Sequence, residues 1–372
     1  MGKNKISEMQ LISIGCCYLL GTIVVSVFLS SVAGNESWLI GFLSGFAFIP
    51  VLLVYFSLAK RFPGKSLFEI NEAVLGRFWG RALSLIYLVF MLTLCALNIL
   101  EASNFLHYFI IPKTSLVVIA SVLMLCCVYC ARKGLMPLAQ VATIFGLLSL
   151  AGIFANLILS LGHVSFKYLL PVFNLEPLDY VQSMHIITSI PLGESFILFF
   201  FVPDLSEKAS FKKAFIIVII FSMIIITLIH MREVTSLGTL IKFTTLPSYE
   251  AVRMIDFGGN FSRTESLFAL LLISLTFFKT LILFHLCAKG AEQVFRLKSS
   301  HHLLPMLAAF LVIYAVNAYG SASNNIFWGK NVSPFIWTFF TFVLPLLTLI
   351  IAVAKGARSY FFLKEKVSKR TF

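Results

Sequence analysis

The residues best suited to chemistry lie in one apolar stretch, 183–203, which is long enough to cross a lipid bilayer. Pro191, Gly193 and Glu194 interrupt this stretch near its centre. Proline removes a backbone N–H and clashes with the preceding turn, and glycine weakens a helix further. A carboxylate in the middle of a bilayer costs at least about 2.5 kcal/mol. The pattern predicts two half-helices that meet at a break with a binding site; a proline kink with a paired glutamate is the alternative.

A second apolar stretch, 9–31, has weak points of its own at Gly15 and Gly21. At a rise of 1.5 Å per residue, Gly21 lies about 18 Å from the predicted inner end of its stretch. Glu194 lies about 16 Å from the predicted outer end of its own stretch by the same rule. Both breaks are therefore expected near the middle of the bilayer. Glycine also permits close packing of membrane helices, which is the alternative explanation for Gly21.

The two breaks are suited to a zwitterionic amino acid. A half-helix that starts at a break presents unpaired N–H groups and a partial positive charge. We therefore expect a helix to start again at Gly21–Thr22 and to bind the ligand carboxylate there. The amino group would meet free carbonyl groups around Ser189 and Ile190. Gly193 and Glu194 complete this expected site, and Glu194 either contacts the amino group or fixes the shape of the site.

Three other polar residues lie within apolar stretches. Lys279 is expected slightly inward of Glu194, about 20 Å from the outer end of its span. It either pairs with Glu194, or fills the position where a sodium-coupled transporter holds a cation, or extends its long side chain to the cytoplasmic face. Asn98 and Glu101 share one face of a helix. They either line an outer vestibule or, for Glu101, lie at the membrane interface without a special role.

The sequence contains none of the common motifs for hydrolase or nucleotide chemistry, such as H-E-x-x-H, G-x-S-x-G, G-x-G-x-x-G or a Walker sequence. Cys127 and Cys130 form a C-x-x-C, but no second pair or histidine cluster accompanies it. We therefore expect neither an enzyme, nor a metal site, nor a cofactor.

The composition is that of a protein that crosses the membrane many times. Mean hydropathy is +0.96, hydrophobic residues make up 59% of the chain and charged residues only 12%. The formal net charge of +13 comes from short loops and tails between apolar stretches, which indicates the positive-inside pattern and not nucleic-acid binding. Ten spans are predicted at 9–31, 38–59, 82–104, 115–131, 136–161, 183–203, 212–231, 266–288, 303–321 and 334–354.

The distribution of charge predicts the orientation. Most Lys and Arg residues lie in the two tails and in the connections after spans two, four, six and eight, so both termini are expected in the cytoplasm. Ten spans divide into two sets of five with opposite topology, 7–161 and 180–354, within one transmembrane domain, 1–372. Spans one and six then correspond, and both are interrupted. This arrangement predicts an all-α, LeuT-like inverted repeat with substrate held at the breaks.

The longest external connection, 232–265, contains a short segment with helical periodicity. Tyr249, Val252 and Ile255 share one face of this segment. It is expected to lie over the bundle as a lid on the outer vestibule, with the face that carries Tyr249 packed over that vestibule. Contact with a partner subunit is the alternative.

The sequence resembles the B subunits of bacterial spore germinant receptors, the GerB or spore permease family of the amino acid–polyamine–organocation transporter superfamily. The resemblance runs along nearly the whole chain, in the order typical of the family. It is carried by L-G-T-I-V in span one, A-G-N-E-S-W-L after it, R-F-P-G-K-S-L-F-E-I and V-L-G-R-F-W-G-R after span two, and P-L-G-E in span six. The segment L-P-S-Y-E-A-V-R-M-I-D-F-G-G-N-F-S-R-T-E-S-L-F before span eight is the most specific.

The resemblance implies ten spans with breaks in spans one and six, and a place in the bacterial cell membrane or spore inner membrane. It also implies two protein partners, a germinant receptor A subunit and a lipoprotein C subunit. The implied ligand is a small nutrient, usually an amino acid. A receptor subunit that senses this nutrient is therefore the first hypothesis. An amino acid permease, either proton-coupled or uncoupled, is the second.

Overall fold

The computed structural model describes residues 5–24, 28–254, 264–297, 299–318 and 322–356, and this part of the chain is almost entirely helical. The α-helices are α1 (Glu8–Ile23), α2 (Phe28–Ala33), α3 (Ser37–Ala47), α4 (Ile49–Arg61), α5 (Leu67–Leu75), α6 (Arg77–Phe105), α7 (Leu116–Arg132), α8 (Leu135–Ser160), α9 (Pro177–Ser189), α10 (Phe211–Leu237), α11 (Pro247–Arg253), α12 (Thr264–Phe295), α13 (Leu303–Ala318), α14 (Ala322–Asn331), α15 (Ser333–Thr338) and α16 (Leu344–Ala354). A 3-10 helix covers Gly193–Asp204, and π-helical segments cover Leu106–Ile110 and Phe339–Val343.

Most of these helices are apolar enough to cross a membrane. Within the described residues, seven helical stretches have the required length and composition: Phe28–Arg61, Arg77–Ile110, Leu135–Ser160, Pro177–Asp204, Phe211–Lys242, Glu265–Phe295 and Ser333–Ala354. Three shorter apolar helices are Glu8–Ile23, Leu116–Arg132 and Leu303–Ala318. The all-α, multi-pass membrane class is confirmed. The count of ten spans, the two inverted repeats and the boundaries of the single domain remain predictions.

The first helix does not restart where the glycine pattern indicated. Gly21 and Thr22 lie in the last turn of α1, and the backbone N–H of Val24 donates to the carbonyl of Leu20, 3.1 Å away. The predicted helix start at Gly21–Thr22 is therefore wrong, because α1 ends there. A Cβ on Gly21 would lie 3.0 Å from the Leu275 carbonyl oxygen, so this glycine permits close contact with α12.

The seventh span extends further than its charges suggested. α10 continues to Leu237, so residues 232–237 are helical and do not belong to the external connection. The prediction ended the span at Met231 and placed Arg232 in the external connection. The structure buries this residue, and α10 ends instead at Gly238, which has a φ of 55°. The external connection therefore begins later than predicted, and Ile255 lies outside the described residues.

The central helices gather around α1. This helix packs against α8, α10 and α12, and the 3-10 helix at Gly193–Asp204 also contacts it. Most buried apolar side chains form one continuous core. The central position of α1 explains how residues from distant spans reach the interruption of the sixth span.

The orientation in the membrane is tested by cysteine labelling. In a cysteine-free background, single cysteines on the predicted inner side should resist a membrane-impermeant reagent, whereas those on the predicted outer side should react, because loop charge sets orientation. The inner positions are Lys60, Arg132, Lys212 and Arg296, and the outer positions are Lys167, Lys242 and Lys330. Labelling of intact cells at Arg132 or Lys212 would contradict the predicted topology. Permeabilised cells, in which all seven positions should react, provide the control.

Candidate functional site

The candidate site is built on an interruption in the sixth span. α9 ends at Ser189, a turn follows, and the chain continues as a 3-10 helix from Gly193 to Asp204. Pro191 accounts for the change, because it has no N–H to continue the α-helical ladder. Two hydrogen bonds join the halves: the N–H of Leu192 donates to the Ile187 carbonyl at 3.0 Å, and that of Glu194 donates to the Ile190 carbonyl at 3.1 Å.

The hydrogen bonds at the interruption affect the carbonyl groups that were expected to bind the ligand amino group. The Ile190 carbonyl already accepts the Glu194 N–H, which leaves one lone pair of this oxygen for a ligand, and its role in binding stays a prediction. The Ser189 hydroxyl donates to the His185 carbonyl at 2.5 Å, one turn back in α9. This hydroxyl is therefore bonded within its own helix and is not directed at a ligand.

Glu194 is the centre of a buried polar cluster. The Thr22 hydroxyl donates to Glu194 Oε2 at 2.8 Å, and Lys279 Nζ lies 3.0 Å from the same oxygen. The indole Nε1 of Trp337 donates to Glu194 Oε1 at 3.3 Å. The side chains of Lys279 and Glu194 are only 5% and 3% exposed. Four elements, namely α1, the 3-10 helix, α12 and α15, thus meet at one carboxylate.

Lys279 is held inside the bundle. Its Nζ lies 5.5 Å from the centre of the Tyr18 ring as well as beside Glu194. An aromatic face attracts an ammonium group, most strongly where water is excluded. Three roles were predicted for Lys279, and in the structure its side chain pairs with Glu194 and is buried, so it does not extend to a surface of the bundle. Because an unpaired charge at this depth is costly, the pair lowers the cost of burying both groups.

Gly193 allows the interruption to pack against an irregular part of the last span. A Cβ on Gly193 would lie 3.0 Å from the Thr188 carbonyl oxygen and 3.1 Å from Thr341 Oγ1. Thr341 belongs to the π-helical segment at Phe339–Val343. Any larger residue at position 193 would therefore push these two elements apart.

The π-helical segment has its own hydrogen-bond partners. Pro345 lacks the N–H that would reach the Thr341 carbonyl four residues back. The Tyr55 hydroxyl donates to that carbonyl at 2.5 Å, and the Tyr87 hydroxyl donates to the Phe340 carbonyl at 3.0 Å. Segments of this type are frequent at functional sites. Sequence reasoning missed this one, although Pro345 was the signal that could have indicated it.

Asn98 and Glu101 do not join the cluster through a direct bond in the described structure. The Asn98 side chain is buried and donates from Nδ2 to the Thr276 carbonyl at 2.9 Å and to the Thr280 hydroxyl. It thus fastens α6 to α12. Glu101, further along α6, is partly exposed. The vestibule role of these two residues remains a prediction.

Tyr249 packs onto the end of α6 that the charges predict to be external. Its side chain is buried, and its ring centre lies 5.4 Å from that of Phe105 and 4.9 Å from that of Phe109. This aromatic contact fixes α11 on the bundle. The lid and the contact with a partner subunit both remain predictions.

Sequence reasoning also missed Glu36. Its buried carboxylate accepts the backbone N–H groups of Phe173 at 2.9 Å, Asn174 at 2.7 Å and Leu175 at 3.2 Å, and it accepts the Tyr180 hydroxyl. The carboxylate thus joins the turn between α2 and α3 to the segment that leads into α9. The sequence shows only an acidic residue after an apolar stretch, which is ordinary at a membrane interface.

The fold identifies the class of protein to which this chain belongs. The chain is a multi-pass helical membrane protein with a transporter fold, because its structure is similar to that of MhsT in complex with L-phenylalanine. The TM-score is 0.61, at 15% sequence identity, over 95% of this chain and 99% of that chain. At this identity the likeness establishes the fold alone.

The family follows from the sequence. Residues 5–322 match the Spore_permease family, described as spore germination protein, and the chain belongs to that family. Three relatives from Bacillus subtilis (strain 168) are similar to it. Spore germination protein KB is 24% identical over 96% of this chain and 97% of its own length. Spore germination protein YndE is 22% identical over 85% and 87%, and spore germination protein B2 is 21% identical over 88% and 89%.

These comparisons confirm the resemblance to the spore permease family. The family and the transporter fold together support a membrane role in spore germination, as a germinant receptor or a transporter. The relatives are named as germination proteins and not as enzymes, which is in keeping with the expectation that this chain is not an enzyme.

Proposed function

We propose that this chain is the nutrient-sensing membrane subunit of a spore germinant receptor and that it binds a small nutrient, an amino acid, beside the interruption of the sixth span. The observation that carries the proposal is the buried Glu194–Lys279 pair at the point where α9 gives way to the 3-10 helix. Paired charges inside a membrane bundle mark functional sites, and broken helices offer backbone groups to a ligand. The similarity to a fold solved with L-phenylalanine supports an amino acid as the ligand class.

The end of α1 reverses the orientation that the sequence indicated for the ligand. Because Gly21 and Thr22 lie in the last turn of α1, this end carries the negative pole of the helix. A cationic amino group is therefore better placed here than a carboxylate. The ligand carboxylate is then assigned to the Lys279 ammonium, which has three N–H donors and uses one toward Glu194.

Glu194 has a supporting role in this arrangement. Both of its oxygens already accept hydrogen bonds, from Thr22 and Trp337, and Oε2 also faces Lys279. The carboxylate thus orients the lysine and fixes the shape of the site. Direct contact between Glu194 and the ligand would require one of these partners to move away.

The receptor A subunit and the lipoprotein C subunit are the proposed protein partners, and the spore inner membrane is the proposed location with both termini in the cytoplasm. These assignments rest on the family and on the distribution of Lys and Arg. A sensing subunit would convert ligand binding into movement of α1, which carries Thr22, and of α12, which carries Lys279.

An amino acid permease is the second candidate, favoured by the transporter fold. The purified chain is reconstituted in proteoliposomes and offered radiolabelled amino acids one at a time. The sensing role predicts saturable binding without accumulation above the equilibrium level, because the ligand stays at the site. Saturable accumulation by this chain alone would favour the permease. Empty liposomes measure leakage, and the absence of binding for every amino acid would contradict the proposed ligand class.

A further inference from the structure

A second buried charged cluster lies at the predicted outer end of α10. Arg232 and Glu233 are 5% and 2% exposed, and the guanidinium Nη2 lies 3.9 Å from Glu233 Oε1. His230 Nδ1 lies 2.9 Å from Glu233 Oε2. The sequence placed these residues at a span end, where charges are ordinarily in water. Their burial requires partners from other elements.

One residue of α11 contacts both charges. The Ser248 carbonyl accepts a hydrogen bond from Arg232 Nη2 at 3.1 Å, and the Ser248 hydroxyl donates to Glu233. We call this set, Ser248 with Arg232 and Glu233, the Ser248 anchor. Next to it along α11, Tyr249 packs on Phe105 and Phe109. The short helix α11 is thus held by one polar and one apolar attachment.

The anchor also connects α11 to helices that flank the candidate site. Arg232 donates to the Asn156 side chain on α8, and its guanidinium lies 5.6 Å from the Phe268 ring centre on α12. The Ser30 hydroxyl on α2 lies 3.4 Å from His230 Nδ1. α12 also carries Lys279. A shift of α2 or α12 would therefore change the geometry of the anchor.

We infer that the Ser248 anchor positions α11 as a cover on the outer end of the bundle and that this cover opens when the anchor is broken. Apolar side chains of the same volume would hold α11 equally well or better, since buried ion pairs contribute little net stability. A charged cluster differs from such an apolar attachment in one respect. Once water enters, it solvates both charges, and this lowers the free-energy cost of separating α11 from the bundle. The role of the cover in ligand entry rests on the proposed function.

Hydrogen–deuterium exchange of the purified chain in nanodiscs, without ligand, tests the anchor. Ser248→Ala removes the hydroxyl that donates to Glu233 but keeps the backbone carbonyl. We expect exchange of the α11 amides to rise about tenfold, with little change in α6 or α8. Ser248→Thr keeps the hydroxyl and should restore slow exchange. Ser236→Ala is the matched control, because the Ser236 hydroxyl is buried on α10 without a hydrogen-bond partner among the described residues.

Glu233→Gln provides an independent variant and should likewise speed exchange in α11. Its matched control is Glu250→Gln, because Glu250 pairs only with Arg253 of the same short helix, at 3.0 Å, in the described structure. Unchanged exchange of α11 in both Ser248→Ala and Glu233→Gln would overturn the inference, as would an equal rise through the whole bundle. The measurement needs no ligand, so its outcome is independent of whether the chain binds an amino acid.

Discussion

Glu194→Gln is expected to lower the amount of folded protein several-fold. The change keeps the size of the side chain but leaves the Lys279 ammonium buried without a carboxylate, 3.0 Å from a neutral amide in place of an anion. Removing one partner of a buried ion pair costs about 3–5 kcal/mol. The measurement is the yield and thermal midpoint of a fluorescently tagged chain in detergent. Glu207→Gln is the matched control, because Glu207 is exposed and follows the same 3-10 helix.

A second substitution separates the roles of Glu194. If the carboxylate chiefly pairs with Lys279, adding Lys279→Met to Glu194→Gln should recover most of the lost yield, because no unpaired charge remains. If the carboxylate chiefly contacts the ligand, Glu194→Gln should fold normally and lose about tenfold or more in ligand sensitivity, since charged hydrogen bonds contribute about 1.5–3 kcal/mol. Normal yield together with an unchanged dose response would remove Glu194 from the site and leave Pro191 as a plain kink.

Glu36→Ala is expected to have the second largest effect. It removes the acceptor for three backbone N–H groups, those of Phe173, Asn174 and Leu175, and for the Tyr180 hydroxyl. A fully buried donor left unsatisfied costs about 1–3 kcal/mol, and because these hydrogen bonds are only partly buried, water relieves part of that cost. We expect a clear fall in thermal midpoint and faster proteolysis between residues 165 and 176, measured on the purified chain.

The control for this experiment lies in the same segment. Glu176→Ala removes a carboxylate of equal charge that is exposed and makes no capping hydrogen bond at the start of α9. Glu36→Gln keeps one acceptor oxygen and should fall between the two. Equal midpoints for Glu36→Ala and Glu176→Ala would show that the carboxylate does not hold the segment.

The sequence alone was sufficient for the membrane class and the location of the sixth-span interruption. The hydropathy of a stretch depends only on its own residues and not on tertiary contacts, so long apolar stretches identify membrane helices directly. The effect of Pro191 is equally local, because a missing N–H breaks the helix whatever surrounds it. The high cost of Glu194 and Lys279 in a bilayer also follows from residue type, and it singled them out before any contact was known.

The partners of these residues were decided only by the tertiary structure. Thr22 and Trp337 are separated from Glu194 by 172 and 143 positions along the chain, and no local pattern relates residues at such distances. The sequence also left open whether the first helix is broken at Gly21, since a lone glycine is compatible with a break or with close packing. In the structure, Gly21 lies close to the Leu275 carbonyl, which indicates that it serves close helix packing. α1 continues past Gly21 and ends at Ile23.

The same distinction applies at the outer end of the bundle. Arg232 and Glu36 each follow an apolar run, where the sequence indicates a solvated charge. Whether such a charge is solvated depends on which residues pack against it. Here α11 supplies the partner of Arg232, and the segment before α9 supplies the partners of Glu36. Residue type fixed where charge is costly in this protein. The tertiary structure decided which charges are buried, because only packing brings together the donors and acceptors that offset the loss of water.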